Sequence, residues 1–165
     1  LALDLNANLP SIGQTAGFHL KDAFHPILWK SNQLSGKSTF PQSVSMSPTS
    51  RLLVISGPNA GGKSITLKTV GLLQMMLQAG LLVPVNENSI MCFFSTILSD
   101  IGDNQSIENE LSTYSYRLQR MKYFMEVANH QSLLLLDEFG TGSDPELGGA
   151  LGEVFFEQIY QYYQL

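Results

Sequence analysis

The run RLLVISGPNAGGKSITLKTVG, residues 51–71, sets an apolar stretch against a glycine-rich turn and then a segment with helical spacing. Gly57, Pro58, Asn59, Ala60, Gly61, Gly62, Lys63 and Ser64 satisfy the pattern G-x-x-x-x-G-K-[ST] at every fixed position. The pattern works in one context: a strand delivers the chain to the loop and a helix leaves it. There the backbone N–H groups converge on an anion at a helix N-terminus, where partial positive charge collects. Lys63 is placed to reach the β- and γ-phosphates of a nucleotide and the Ser64 hydroxyl to ligate Mg²⁺, so the binding segment runs from Gly57 to Ile65. A second Gly-Lys-Ser, in SGKST at 35–39, has Ser31 where the first glycine belongs and no apolar strand before it, and is set aside.

From residue 51 onward apolar runs alternate with helical stretches. Strands are expected at 51–56, at 89–98 (SIMCFFSTIL) and at 132–137 (SLLLLD); helices are expected at 63–79, stopped by Gly80, at 108–129 and at 146–163. Continuous apolar strands between helices indicate an α/β fold with a largely parallel sheet covered on both faces. Residues 1–8 read as the end of a helix closed by Pro10, and 11–28 as short strands and turns, with FHLKDAFHPIL the most extended part. Residues 31–50, rich in Ser, Thr and Pro, read as loop or a weak hairpin. The expected division is a helix end and small β-rich part over 1–50 and a nucleotide-binding core over 51–165.

On the 108–129 helix, Leu111, Tyr114, Leu118, Met121, Met125 and Ala128 fall on one stripe, and on the last helix Leu147, Ala150, Leu151, Val154, Phe155 and Ile159 do the same. Both stripes are expected to face a core. Gly148, Gly149 and Gly152 each cost a helix about 1 kcal/mol relative to Ala, which implies that another backbone comes close there.

Asp137 ends a strand of four leucines, where a carboxylate can hold Mg²⁺ through water, and Glu138 follows where it can polarise the water attacking a γ-phosphate. The pair points to hydrolysis, because a kinase needs an acceptor site and lid arginines that this sequence does not display. Charged residues make up 14% of the chain, against roughly a quarter in an average domain, and the net charge is −5. Such a surface is expected to pack against other domains or a second copy. A domain gripping nucleic acid usually carries a basic patch. Here the only basic group, Arg117, Arg120 and Lys122, reads as a solvated helix face, so contact with nucleic acid is expected to be made elsewhere. The single cysteine, Cys92, allows no internal disulfide and fits a reducing cytoplasm, and no apolar run reaches the length of a membrane span. His19, His25 and His130 show no metal-ligand spacing.

Together these residues resemble the MutS family of ATPases, relatives of the ABC class in which two copies close around two nucleotides. FHPIL (24–28) is similar to the His-Pro stretch that opens the family's ATPase domain, and GPNAGGKS is the family's own form of the phosphate loop. DIGDNQSIENELSTYS (100–115) resembles the segment ending in Ser-Thr-aromatic, and LLLLDEFGTGSDPELGGAL the acid pair with its following loop. The last two segments look like the second MutS subfamily rather than the mismatch-recognising proteins.

The resemblance implies an ABC-class P-loop NTPase, a three-layer sandwich that uses ATP and Mg²⁺. It places Gln105 as the glutamine sensing Mg²⁺ and the attacking water, and it sets Ser112 and Thr113 against the γ-phosphate of the partner copy's nucleotide. It implies a homodimer through the ATPase face, closed by ATP and released by hydrolysis. Such a cycle would drive a DNA-processing protein of mismatch-repair-like or recombination-controlling type, with DNA contacted by other domains. Two further readings share the motifs: the motor of a ribosome-rescue factor, and an ATP-gated interaction module that does not hydrolyse. An ABC transporter subunit would need Leu-Ser-Gly-Gly-Gln where LSTYS stands, and an SMC-type ATPase would need long heptad coils. In the family a further strand and a Thr-His pair follow the last helix, so the chain is expected to lack those C-terminal strands.

Overall fold

Pro26 pre-sets the φ of a first helical residue and lacks the N–H that this position cannot use. Around it the computed structural model, which describes residues 4–49, 51–58, 61–102, 110–137 and 145–163, builds helix α1 (Pro26–Leu34). His25 is the N-cap, its Nδ1 accepting the Leu28 N–H at 3.2 Å. Phe24 stacks on Trp29 with ring centroids 4.6 Å apart, which pins the chain entering the helix to its first turn. The helix ends at Gly36 (φ 66), where the Lys37 N–H reaches the Asn32 carbonyl at 2.8 Å. Sequence alone suggested an extended chain here, because His is an uncommon cap.

The chain divides into two compact units between Phe94 and Ser95, so the boundary expected after residue 50 falls inside the first unit. That unit carries a four-stranded sheet in the order β1 (Ser11–Ile12), β4 (Ile90–Met91), β2 (Phe18–Ala23), β3 (Gln42–Met46). β1 and β4 run parallel, while β2 is antiparallel to both neighbours, with Phe18 opposite Met46, Leu20 opposite Val44 and His19 opposite Ile90. The two-residue period buries Phe18 and Leu20 and turns His19 and Lys21 outward. Met91 is buried, and so is the neighbouring Cys92, whose Sγ accepts the Gly17 N–H at 3.3 Å. Burial pushes the Cys92 thiol above its ordinary pKa.

Helix α2 (Lys63–Gln78) forms where expected and buries Val70, Leu73 and Leu77. Gly80 (φ 75) closes it, with the Gly80 and Leu81 N–H groups donating to the Leu77 and Met76 carbonyls, both at 2.9 Å.

Four expectations for this unit are corrected. Residues 4–8 are turn and an isolated bridge, Asn8 with Val83, rather than a helix end. The 31–50 segment contributes the end of α1 and a full strand, β3. The run 51–56 is neither strand nor buried: Leu52, Leu53 and Val54 are 55%, 45% and 75% exposed. A strand is held by ladder bonds, and none of the strands formed by the described residues includes this run, so apolar continuity alone does not make it one. Finally, 89–98 is two strands rather than one, because β4 ends at Met91 and the next strand starts at Thr96.

The second unit pairs β5 (Thr96–Asp100) in parallel with β6 (Ser132–Leu136), from Thr96 opposite Ser132 to Asp100 opposite Leu136. Helices α3 (Glu110–Val127) and α4 (Pro145–Tyr163) form close to the expected bounds. One sheet face, Leu98, Leu134 and Leu136, joins Met121, Phe124 and Ala128 of the α3 segment and Phe155, Phe156 and Ile159 of α4 in one core. The α3 stripe is therefore rotated from the expected one. Phe124 is 1% exposed, whereas Leu118 and Met125 are each 37% exposed. The helix is apolar over more than one face, so its periodicity does not fix which side turns inward. In α4, Phe155 and Ile159 are buried as expected, but Val154 and Ala150 face outward. Gly148 and Gly152 are buried, while a Cβ at Gly149 would meet nothing within 4 Å among the described residues, so no close backbone requires that glycine.

Candidate functional site

Two adjacent glycines shape the start of α2, each for a different reason. Gly62 is the N-cap with φ 83, a left-handed conformation that any side chain would strain. At Gly61 the constraint is space: a Cβ would lie 2.9 Å from the Pro58 carbonyl oxygen, the same oxygen that accepts the Gly61 N–H at 2.8 Å. The loop is thereby folded back on itself at Pro58. Lys63, first residue of the helix, stakes that fold by donating from Nζ to the Gly57 and Pro58 carbonyls at 2.6 and 2.8 Å. The ammonium is thus held at the mouth of the loop.

The helix ladder begins with the Thr66 N–H on the Gly62 carbonyl at 2.9 Å, so the N–H groups of Lys63, Ser64 and Ile65 have no acceptor within the helix. Three backbone donors, a helix N-terminus and an ammonium belong to one short loop, and Ser64 stands half-buried in its first turn. That donor set fits a phosphate group: all its members favour negative charge, and a glycine replaces the one Cβ that would close the turn. Asn59 and Ala60, also expected to contribute, lie outside the described residues.

Asp137 follows β6 directly and is half-buried. Its N–H donates to the Asp100 carbonyl at 2.9 Å, which carries the β5–β6 pairing one residue past the strand and fixes the Asp137 backbone at the C-terminal edge of the sheet. Carboxylates at that edge are where parallel sheets place ligand-binding groups. Glu138 and Gln105 lie outside the described residues. Ser112 and Thr113 fall in the first turn of α3, of which only the backbone is described there. Lys63 and Asp137 belong to different units and are each placed within their own.

Arg120 departs from the solvated face expected of it. Its Nη2 donates to the Ser99 carbonyl at 2.6 Å, and the guanidinium lies 4.8 Å from the Phe124 ring centroid. Arg120 thus ties α3 to the end of β5, and the signal available in sequence was the Arg/Phe pair four residues apart on one helix. Lys122 does face water, paired with Glu126 at 3.8 Å. In the first unit, desolvation and then the positive charge of Lys68 hold His25 below the ordinary histidine range, outweighing a hydrogen bond to its own backbone, which raises it.

The comparisons with known proteins converge. The family model described as MutS domain V matches residues 53–164. The endonuclease MutS2 of Carboxydothermus hydrogenoformans is 41% identical over 159 residues, which is 96% of this chain and 20% of that protein. The endonuclease MutS2 of Finegoldia magna is 43% identical over 150 residues, 91% of this chain and 18% of that protein. That of Clostridium perfringens is 42% identical over 156 residues, 94% and 19% respectively. The chain therefore spans about a fifth of the length of the curated relatives it matches. A loop that only glycine can fold, at the head of a helix inside a segment matched from residue 53 to residue 164, agrees with these likenesses: the chain belongs to the MutS family and carries its domain V.

Proposed function

We propose that this chain binds and hydrolyses ATP as an ABC-class P-loop NTPase built as a three-layer α/β sandwich, and that two copies close on one another around the nucleotide. The observation that carries the reading is the Lys63 ammonium staked to two carbonyls of its own loop at the start of α2, beside N–H groups without helical acceptors.

In this reading the N–H groups following Gly62 cradle the β-phosphate, and Lys63 reaches the β- and γ-phosphates without having to be ordered on binding. The Ser64 hydroxyl and, through water, Asp137 would hold Mg²⁺, which would supply charge neutralisation to the phosphates. Glu138 polarises the attacking water, and Gln105 holds that water in line. Ser112 and Thr113, at the N-terminus of α3, offer hydroxyls and helix-end N–H groups to the γ-phosphate bound by the partner copy. Hydrolysis removes the group that both copies hold, and they separate.

The names of the relatives speak of an endonuclease, and we assign this chain the nucleotide-driven motor of such a DNA-processing protein. With a net charge of −5, the motor leaves the grip on DNA to other surfaces. Among the described residues no helix is long and apolar enough to cross a membrane.

The test is calorimetric titration of ATP–Mg²⁺ into the protein and into Lys63→Ala, with sizing at several protein concentrations. Binding lost in the variant, and dimers that form only with ATP, are the expected results. Equal binding by both proteins would refute the phosphate-loop assignment, and a size independent of ATP would refute closure.

A further inference from the structure

Within the second unit, two consecutive carbonyls at the end of β5 are held by different elements. The Asp100 carbonyl accepts the Asp137 N–H at 2.9 Å. The carbonyl before it, that of Ser99, accepts from the Arg120 Nη2 at 2.6 Å. A guanidinium on a carbonyl makes a charge-assisted bond, shorter and stronger than the neutral bond beside it. Arg120 thus joins α3 to the strand end one residue before the contact that fixes Asp137.

The same side chain is held from a second side. Its guanidinium lies 4.8 Å from the ring centroid of Phe124, which is 1% exposed in the core that α3 shares with β5, β6 and α4. The placement of that core is passed through Arg120 to the end of the strand. Stability alone does not account for an arginine here. Its Nε is buried and has no hydrogen-bond partner among the described residues, and a buried donor left unmet is costly. A methionine would cover the Phe124 ring without that cost. What the guanidinium adds is the donor on Ser99.

We infer that Arg120 is a positioning residue for the Asp137 carboxylate: by clamping Ser99 it keeps the Asp100 carbonyl where the Asp137 backbone needs it. This rests on the ATPase reading above, in which Asp137 would hold Mg²⁺ through water. A carboxylate that acts through water works on a long lever, so a small drift of its backbone is enough to weaken its hold. Arg120, Ser99, Asp100 and Asp137 all belong to one unit and are placed within it.

The test compares Arg120→Met, which keeps the packing on Phe124 and removes the donor, with Ile159→Val, which loosens the same core and leaves the donor in place. Both are made in the protein at its full natural length. The quantities read are hydrogen exchange at the Asp137 amide, the Mg²⁺ concentration for half-maximal ATP turnover, and kcat and KM for ATP. For Arg120→Met we expect exchange at Asp137 to rise about tenfold while the amides of Leu133 and Leu135 are unchanged. The Mg²⁺ requirement should rise and kcat should fall, each about tenfold, with KM for ATP within about twofold of the parent. Ile159→Val should keep the parent's Mg²⁺ requirement and kcat. An Arg120→Met protein with the parent's exchange at Asp137, or with the parent's Mg²⁺ requirement, overturns the inference. So does an Ile159→Val protein that shifts the Mg²⁺ requirement as far, since loss of core packing would then suffice. If Arg120→Met does not fold, Arg120→Lys carries the same test, because lysine keeps the charge without the reach; parent-like values there are likewise refuting. A parent protein that binds no ATP, or a Lys63→Ala variant that binds it equally, would instead sink the ATPase reading, while exchange at Asp137 would still decide whether Arg120 holds that backbone.

Discussion

Replacing the two loop glycines one at a time separates two physical constraints that a motif treats as one. Gly62→Ala places a side chain at φ 83, where an L-residue pays about 1–2 kcal/mol, with only an ordinary contact to the Ile65 methyl at 3.4 Å. Gly61→Ala meets no such torsional cost, but its Cβ would sit 2.9 Å from the Pro58 carbonyl oxygen, and that oxygen has to move. Moving it stretches two hydrogen bonds of 2.8 Å, one from the Gly61 N–H and one from Lys63 Nζ. A neutral bond is worth about 1 kcal/mol and a charge-assisted one about 1.5–3, and since the lysine end is open to water we take about 2 kcal/mol for the two together.

Asparagine distinguishes the cases, because it tolerates the left-handed region but is no smaller than Ala at Cβ. Gly62→Asn should lose roughly half of what Gly62→Ala loses, while Gly61→Asn should lose at least as much as Gly61→Ala. Denaturant titration reads the stabilities, and a 1 kcal/mol loss corresponds to roughly 2–4 °C in thermal midpoint for a chain of this size. If Asn and Ala behave alike at Gly62, or if Gly61→Ala is silent, the loop is not folded as described.

Phe124→Ala should destabilise the second unit by about 3–5 kcal/mol, as for a fully buried aromatic, whereas Leu118→Ala, on a side chain 37% exposed, should lose far less; the pair of denaturation curves tells which face of α3 is the core. His25 caps α1 through an unprotonated Nδ1 and is held below its ordinary pKa, so the folded state binds fewer protons than the unfolded one. Its contribution is complete above the unfolded value of about 6.5 and is lost as pH falls through the lower folded value; stability followed from pH 8 to pH 5 should flatten in His25→Asn, which caps without titrating. Arg120→Lys should lose about 1 kcal/mol or more despite keeping the charge, because a lysine neither spans to the Ser99 carbonyl nor stacks on Phe124 in the same geometry; a variant as stable as the parent would leave that contact without weight.

What could be read from sequence divides along the reach of the interactions involved. α2 and α4 were legible because their signals are local, Gly80 closing the first and Pro145 opening the second. β6 was legible because four leucines after a turn leave little choice. α1 was concealed although its signals are local too: Pro26 at the first helical position, with Phe24 and Trp29 at staple spacing, outweighs an unusual cap. The break between β4 and β5 was not legible in SIMCFFSTIL, because it is made by Gln78 and Gln131 from elsewhere in the chain. At the candidate site the motif placed a glycine turn at the head of α2, and the left-handed conformation of Gly62 came from the structure. The motif could not foretell the anchoring of Lys63 on two carbonyls, nor that Arg120 would leave solvent for the end of a strand.

The thiol at Cys92 is buried, accepts a backbone N–H, is discouraged from ionising, and belongs to the residue whose carbonyl Gln74 grips. Since only thiolate reacts readily with alkylating reagents and disulfides, this position is silent in the closed molecule and responds each time the surrounding structure opens. The sequence thus contains one built-in chemical clock and no competing thiol. Labelling rates, followed by mass spectrometry with and without nucleotide, would time the opening of the first unit around β4, with no dye or engineered residue required.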